Sequence, residues 1–342
     1  MTQNRELAVV TGASSGIGFE LARQLGERGF DLIVNSANEN RLRPAAEEIA
    51  RQTGASVHPV RADLRSYEEA ERIVAAVAST GRPVAVAVLN AGVGEGGAFL
   101  DTDLEDEFEI VDLNVRSTVH LSKRLLRSMA ATGEGRMLIT SSIASTMPGS
   151  FQAVYNASKS FLQSFSQALQ NELKDTPLTV TALMPGPTDT DFFRRADMGD
   201  TKGGQGEKDD PAQVAKQGLD ALFAGKDKVV AGSLKTRAQG LANKVLPDSL
   251  KAEGHRPDGR ARIRRPVAAG TDRPSTGGTS LKRGIRHDHR GSRITWTPPP
   301  KPRRCALSRW SARFRRLRNG PARSCWPSRP WPPWASTESP EK

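Results

Sequence analysis

Two kinds of segment alternate along the first 250 residues. Short apolar runs, rich in Val, Ile and Leu, occur at 7–10 (LAVV), 31–34 (DLIV), 56–60 (SVHPV), 84–89 (VAVAVL), 136–140 (RMLIT), 178–184 (LTVTALM) and 228–232 (KVVAG). Between them lie stretches of helical length and period, at about 16–28, 40–52, 67–79, 103–131, 151–174 and 211–224. Continuous apolar runs of that length suit strands buried on both faces. Seven strands alternating with helices predict an α/β fold, a doubly wound, seven-stranded parallel sheet in a single domain over 1–250. Asp210-Pro211 supplies an N-cap and a first-turn proline for the last of these helices. Pro44 falls inside a helical pattern. It is tolerable there if the helix starts near Asn40, so that its missing N–H is among the unpaired first-turn donors.

After about residue 250 both periods vanish. Stretches such as TPPPKPRR and SCWPSRPWPPWAS are dominated by Arg, Pro, Ser and Gly. A segment so poor in aliphatic residues cannot bury enough surface to offset its conformational entropy, and 251–342 is predicted to be disordered. The charge divides at the same place. The 342-residue chain carries +12, which taken alone invites a nucleic-acid partner. Residues 1–250, however, hold 27 Lys and Arg against 32 Asp and Glu, a net of −5. Residues 251–342 hold 23 against 6, a net of +17, together with all five Trp, both Cys and 13 of the 22 Pro.

Three readings of this tail stand: a nucleic-acid-binding arm, an extension without specific role, and an out-of-frame translation of GC-rich coding sequence. The joint rise of Arg and Pro with the first Trp and Cys favours the last, so a nucleic-acid partner is not expected. His287-Asp288-His289 stands isolated in the tail and Cys305 and Cys325 lack ligand-like neighbours, so no metal site is expected. The first 250 residues contain no Cys, which suits a reducing compartment. The N-terminus lacks a signal-peptide pattern and no window approaches about 18 uninterrupted apolar residues. The expectation is a cytoplasmic protein without a membrane partner.

The chemistry clusters at strand ends. VVTGASSGIGFELARQL runs from the first strand into the first helix, with Gly12, Gly16 and Gly18 spaced G-x-x-x-G-x-G. Backbone without Cβ is needed where a diphosphate approaches a helix N-terminus. Asp63 and Leu64 follow the third strand, Asn90-Ala91-Gly92 the fourth, and PGPTDT (185–190) the sixth. In a doubly wound sheet these carboxyl ends line the ligand crevice. Tyr155 and Lys159 are four apart on a helical pattern, so they share a face.

Together TGASSGIG (11–18), NAG (90–92), Asn114, Ser142, Tyr155-x-x-x-Lys159 and PGPTDT resemble the short-chain dehydrogenase/reductase family, over residues 5 to about 245. The resemblance implies a Rossmann-type domain. It also implies an NAD(P)(H)-dependent oxidoreductase that interconverts a carbonyl and a secondary alcohol. Tyr155 would be the acid/base, with its pKa lowered by the Lys159 ammonium. Lys159 would also hold the nicotinamide ribose. Ser142 would orient the substrate oxygen; Ser141 is its rival, and the spacing to Tyr155 selects Ser142. Asn114 would anchor a relay to Lys159, which would explain an Asn in mid-helix. The implied cofactor contacts are Gly12, Ser14, Ser15, Gly16, Ile17, Gly18, Ser36, Asp63, Leu64, Asn90, Ala91, Gly92, Tyr155, Lys159, Pro185, Gly186, Thr188 and Thr190.

One departure bears on the cofactor. The second strand ends VNSANENR, with Ser36 and Ala37 where an acid would select NAD(H). No acid repels a 2′-phosphate, so NADP(H) is expected over NAD(H). Arg41 is either a phosphate contact or a solvated helix residue. Phe192 and Phe193, Met147, Val154 and Phe99 would wall a mainly apolar substrate site, under a Gly-rich loop spanning 191–210. Phe161, Leu162, Phe165 and Leu169 form an apolar stripe. The family packs the corresponding helix against a second subunit, implying a homodimer or homotetramer; a stripe serving the core is the other reading. The rival function is a non-catalytic nucleotide sensor on the same fold. Retention of both Tyr155 and Lys159 argues against it.

Overall fold

The computed structural model describes residues 5–196 and 205–242. The predicted tail, 251–342, and the middle of the expected substrate loop, 197–204, lie outside the described residues. Seven parallel strands form one sheet in the order β3-β2-β1-β4-β5-β6-β7. They are β1 (Leu7–Thr11), β2 (Asp31–Ser36), β3 (Val57–Arg61), β4 (Val84–Leu89), β5 (Gly135–Thr140), β6 (Leu178–Pro185) and β7 (Lys228–Ala231).

Alternate residues of each strand feed two cores. On one face Ala8, Val10, Leu32, Val34 and Val86 pack under α1 (Gly16–Glu27), α2 (Glu39–Thr53) and α8 (Pro211–Phe223). On the other, Leu7, Val9, Ile33, Ala87 and Met137 pack under α3 (Tyr67–Ser79), α5 (Ser117–Thr132) and α6 (Ala153–Glu172). Burial on both faces is why the strands read as continuous apolar runs. Truncating a fully buried member such as Leu25 or Leu121 to Ala costs about 2–5 kcal/mol.

The order reverses between β1 and β4. The chain leaves β1 to build β2 and β3 on one side, then returns to place β4 on the other. A crevice therefore opens above the carboxyl ends of these two strands. Local side-chain caps fix how four of the described α-helices enter the fold. The Asn38 side chain accepts from Arg41 N at 3.2 Å, Ser66 from Glu69 N at 3.3 Å, and Asp210 from Ala212 N at 3.1 Å. The N-cap of α1, Ser15, makes no such bond.

Two helix expectations need correction. α2 starts at Glu39, so Pro44 is its sixth residue and falls beyond the unpaired first-turn donors. It is tolerated because Pro44 and Asn40, whose carbonyl loses its usual donor, are both exposed, where water can serve that carbonyl. The stretch predicted as one helix over 103–131 is α4 (Leu104–Ile110), a π turn (Val111–Arg116) and then α5. The extra residue of the π turn interrupts the α-helical register at Asn114.

Candidate active site

The expected catalytic and cofactor-contacting residues border one cavity of about 710 Å³ at the carboxyl ends of the strands, with one exception. Asn114 lies behind the wall and is fully buried.

The floor is the glycine turn. Gly12 and Gly16 have φ of +68° and +56°, which only glycine adopts without strain. A Cβ at Gly16 would come within 2.6 Å of Thr190, and one at Gly18 would strike the Gly12 carbonyl oxygen. The turn is thus closed down on itself. Because Ser15 does not cap α1, the first N–H groups of that helix border the cavity free of a side-chain partner. A close-packed turn with glycine at its two positive-φ positions, leading to an uncapped helix N-terminus, fits a dinucleotide diphosphate. Ser14 donates to Ser36 at 3.0 Å, tying the turn to the end of β2. Asn90 is a strut: its amide donates to the Thr11 carbonyl at 3.3 Å and accepts from the Thr140 hydroxyl at 3.1 Å. It links β1, β4 and β5 and leaves Ala91 and Gly92 at the cavity wall.

The inner end of the cavity holds the titratable pair. Tyr155 and Lys159 stand one turn apart on α6, 9% and 4% exposed. Lys159 Nζ lies 5.8 Å from the Tyr155 ring centroid and donates to the Thr140 carbonyl at 3.2 Å. The two serines separate cleanly. Ser141 donates to the Lys159 carbonyl at 2.9 Å, whereas Ser142 donates to the Pro185 carbonyl at 3.5 Å, accepts from Ala144 N at 3.1 Å, and lies against the Tyr155 phenol, whose pKa its hydrogen bonding lowers. Burial pushes the Tyr155 phenol up to about 12, against the pull of that Ser142 hydrogen bond. It pushes the Lys159 ammonium down to about 8. The expected lowering of the Tyr155 pKa by Lys159 is therefore not what prevails here: removal from water disfavours both charged forms.

Asn114 explains the π turn. Its Oδ1 accepts from Val93 N at 2.9 Å, and its Nδ2 donates to the Val93 carbonyl at 2.9 Å and to Ser158 Oγ at 3.0 Å. It clamps the loop after β4 to α6, one residue from Lys159.

The remaining expected contacts lie along the rim. Asp63 borders the cavity, yet its carboxylate is held by Arg65, Nη2 to Oδ2 at 2.6 Å, below the usual carboxylate range. Arg41 also borders it, and its guanidinium pairs with Asp191, 150 residues away, just before the short helix α7 (Phe192–Arg195). Thr188 is buried and donates to the Gly186 carbonyl at 2.9 Å.

On the substrate side Phe192 packs against Tyr155, ring centroids 5.4 Å apart, and Phe193 meets Phe192 edge-on at 5.7 Å. Met147 is in the wall. Phe99 and Val154, expected there, are not among the lining residues, and Phe99 is 57% exposed. Gln152, Arg195 and Gln239 line the cavity unannounced. Gln152 could have been found, since it lies three residues before Tyr155 and shares its side of the helix entry. Arg195 and Gln239 had no comparable signal. Among the described residues, no cluster of His, Cys, Asp and Glu could hold a metal ion, and no helix is long and apolar enough to cross a membrane.

Comparison with known proteins agrees with this geometry. A model of the short chain dehydrogenase family matches residues 6–200. The chain is 37% identical, over 191 residues, to a provisionally named ketoacyl reductase of Streptomyces coelicolor, covering 55% of this chain and 73% of that protein. It is 31% identical, over 189 residues, to sulfoacetaldehyde reductase 2 of Chromohalobacter salexigens, covering 55% and 74%. Among solved structures, a variant of actinorhodin polyketide ketoreductase with NADPH is similar with a TM-score of 0.61 and 31% identity, covering 67% of this chain and 96% of that one.

Proposed function

The chain belongs to the short-chain dehydrogenase family and is a nicotinamide-dependent oxidoreductase, and from that premise we propose that it interconverts a carbonyl and a secondary alcohol with Tyr155 as the acid/base. The observation that carries this reading is one cavity with two ends. The uncapped glycine turn forms one end, and half-buried Ser142 with buried Tyr155 and Lys159 the other.

When bound, the dihydronicotinamide supplies the hydride. The protein's residues manage the proton and the geometry. Tyr155, raised to about 12 by burial, keeps its proton at neutral pH and gives it to the carbonyl oxygen as charge develops there. In the reverse direction it takes the proton of the alcohol. The Lys159 ammonium over its ring opposes the burial penalty on the phenolate. Ser142 holds the substrate oxygen beside the phenol. Lys159 holds the ribose hydroxyls, and Asn114 positions Lys159 and the loop after β4 and serves the proton relay. Gly12, Ser14, Ser15, Gly16, Ile17 and Gly18 receive the diphosphate side. Ser36, Asp63 and Leu64 receive the adenosine, and Asn90, Ala91, Gly92, Pro185, Gly186, Thr188 and Thr190 the nicotinamide half.

NADP(H) is preferred over NAD(H). The β2 end offers Ser36 and Ala37 in place of a carboxylate, and Arg41 borders the cavity beside them. The substrate is a small, mainly apolar carbonyl compound, matched to Phe192, Phe193, Ile143 and Met147. The protein is cytoplasmic and assembles as a homodimer or homotetramer. Exposed Leu104, Phe108 and Val111 on α4 and the π turn, and Phe161 on adjoining α6, support a subunit contact.

The test uses full-length protein with NADPH and NADH and a panel of ketones. NADPH consumption and formation of a secondary alcohol from an apolar ketone are expected. Binding of neither cofactor, by protein shown to be folded, overturns the reading.

A further inference from the structure

On the cavity rim, one carboxylate serves three guanidinium groups. Asp191 pairs with Arg41 of α2, with Arg194 at 3.2 Å and with Arg195 at 4.0 Å. Arg194 is 73% exposed and its charge is screened by water. Arg41 and Arg195 both border the cavity. Burial and then repulsion from Arg41 hold Arg195 below the usual guanidinium range. Around Asp191 the rim therefore carries more positive charge than that carboxylate balances, and the field there favours an anion. Arg41 sits in the first turn of α2, just beyond Ser36, Ala37 and Asn38, which close the β2 end of the cavity. That is where the ribose of an adenosine lies in a sheet of this topology.

We propose that Asp191 is an internal competitor for the cofactor's 2′-phosphate, occupying Arg41 until the phosphate displaces it. The inference rests on the NADP(H) preference proposed above. A phosphate brings more charge than a carboxylate and accepts the planar guanidinium fork equally well, so the exchange runs toward the cofactor. Arg194 and Arg195 remain to compensate Asp191 afterwards. A cofactor with a 2′-hydroxyl leaves the Arg41–Asp191 pair intact. Asp191 directly precedes Phe192, whose ring covers Tyr155. Release of Asp191 thus unties the residue over the acid from α2, and links the adenosine end of the cavity to the substrate end.

Dissociation constants of NADPH and NADH, followed by nicotinamide fluorescence on the full-length protein, test this in the parent, Asp191→Asn, Arg41→Ala and the double variant. Arg41→Ala should weaken NADPH by about ten-fold or more, as loss of a charge-assisted pair does, with NADH changed less than about two-fold. Asp191→Asn should tighten NADPH by about three-fold or more and leave NADH alone, and that gain should vanish without Arg41. A gain that persists in the Arg41→Ala background is through-space repulsion and overturns the competition. So does a gain shared by NADH. A parent that binds both cofactors, with Arg41→Ala affecting them equally, overturns this inference and spares the family reading. A parent that binds neither overturns both. Should Arg41→Ala fail to fold, Arg41→Gln takes its place with the same expectations.

Discussion

The two ends of the cavity control charge in opposite ways. At the inner end Tyr155 and Lys159 are almost wholly buried, and burial moves the phenol up to about 12 and the ammonium down to about 8. At the rim the Arg41 and Asp191 side chains are 40% and 32% exposed, and guanidinium partners hold Asp191 at about 2. Water, or its removal, decides the first case; a partner decides the second. The inner end is therefore where substitution should change chemistry and stability together. The rim should change binding and little else.

The sharpest break in that contrast would come from Tyr155→Phe, which deletes one oxygen atom at the dry end. Loss of the positioned acid should lower kcat by about 10³-fold or more, while the NADPH dissociation constant moves less than about two-fold. Steady-state kinetics beside a cofactor titration separate the two effects.

Lys159 makes the contrast visible in stability. Its amine titrates near 8 when folded and at the ordinary 10.5 when unfolded. Between these values the unfolded chain binds more protons, so stability should rise with pH, by about 3 kcal/mol in total. Above pH 10 Tyr155 acts in reverse, because the folded phenol keeps its proton up to about 12 while the unfolded one loses it. Denaturant unfolding of the cofactor-free protein between about pH 8 and pH 10 should show the rise, and Lys159→Met should flatten it. An unchanged slope in that variant would mean that Lys159 is better solvated than its 4% exposure implies.

Gly18→Ala probes the rigid floor between the two ends. The new Cβ would meet the backbone carbonyl of Gly12, which no rotamer change relieves. A loss of about 2 kcal/mol is expected in thermal unfolding, with weakened binding of both cofactors alike. The smallest effect belongs to the rim: Arg41→Ala should alter the stability of the cofactor-free protein by less than about 0.5 kcal/mol, because an exposed pair contributes little. A loss near that of Gly18→Ala would erase the distinction between the two ends.

Much of this was legible in the chain, for physical reasons that also mark where legibility ends. VAVAVL reads as a strand because both of its faces are buried, and β4 occupies those same six residues. Glycines report their own backbone, so the turn after β1 could be read directly. The π turn could not, since one extra residue within a long amphipathic stretch barely moves its apolar period; only Asn114 hinted at it. Pro44 was misplaced because it lies past the first four N–H groups whether the helix is counted from Asn40 or from Glu39. Phe99 was assigned to the wall by its apolar character, which says nothing about direction in an irregular loop. The Arg41–Asp191 pair joins residues 150 apart, and no local pattern anticipates such a contact. The choice of Ser142 over Ser141 rested on spacing. In the structure Ser141 is committed to the Lys159 carbonyl, while Ser142 borders the cavity beside Tyr155.

The most direct measurement is a single turnover of prebound NADPH mixed with an apolar ketone, following loss of nicotinamide fluorescence in the parent and in Tyr155→Phe. If Tyr155 is the acid, the parent oxidises its bound cofactor and forms the alcohol, while the variant binds equally well and holds its fluorescence. Equal rates in the two proteins would contradict the central role given to the buried end of the cavity.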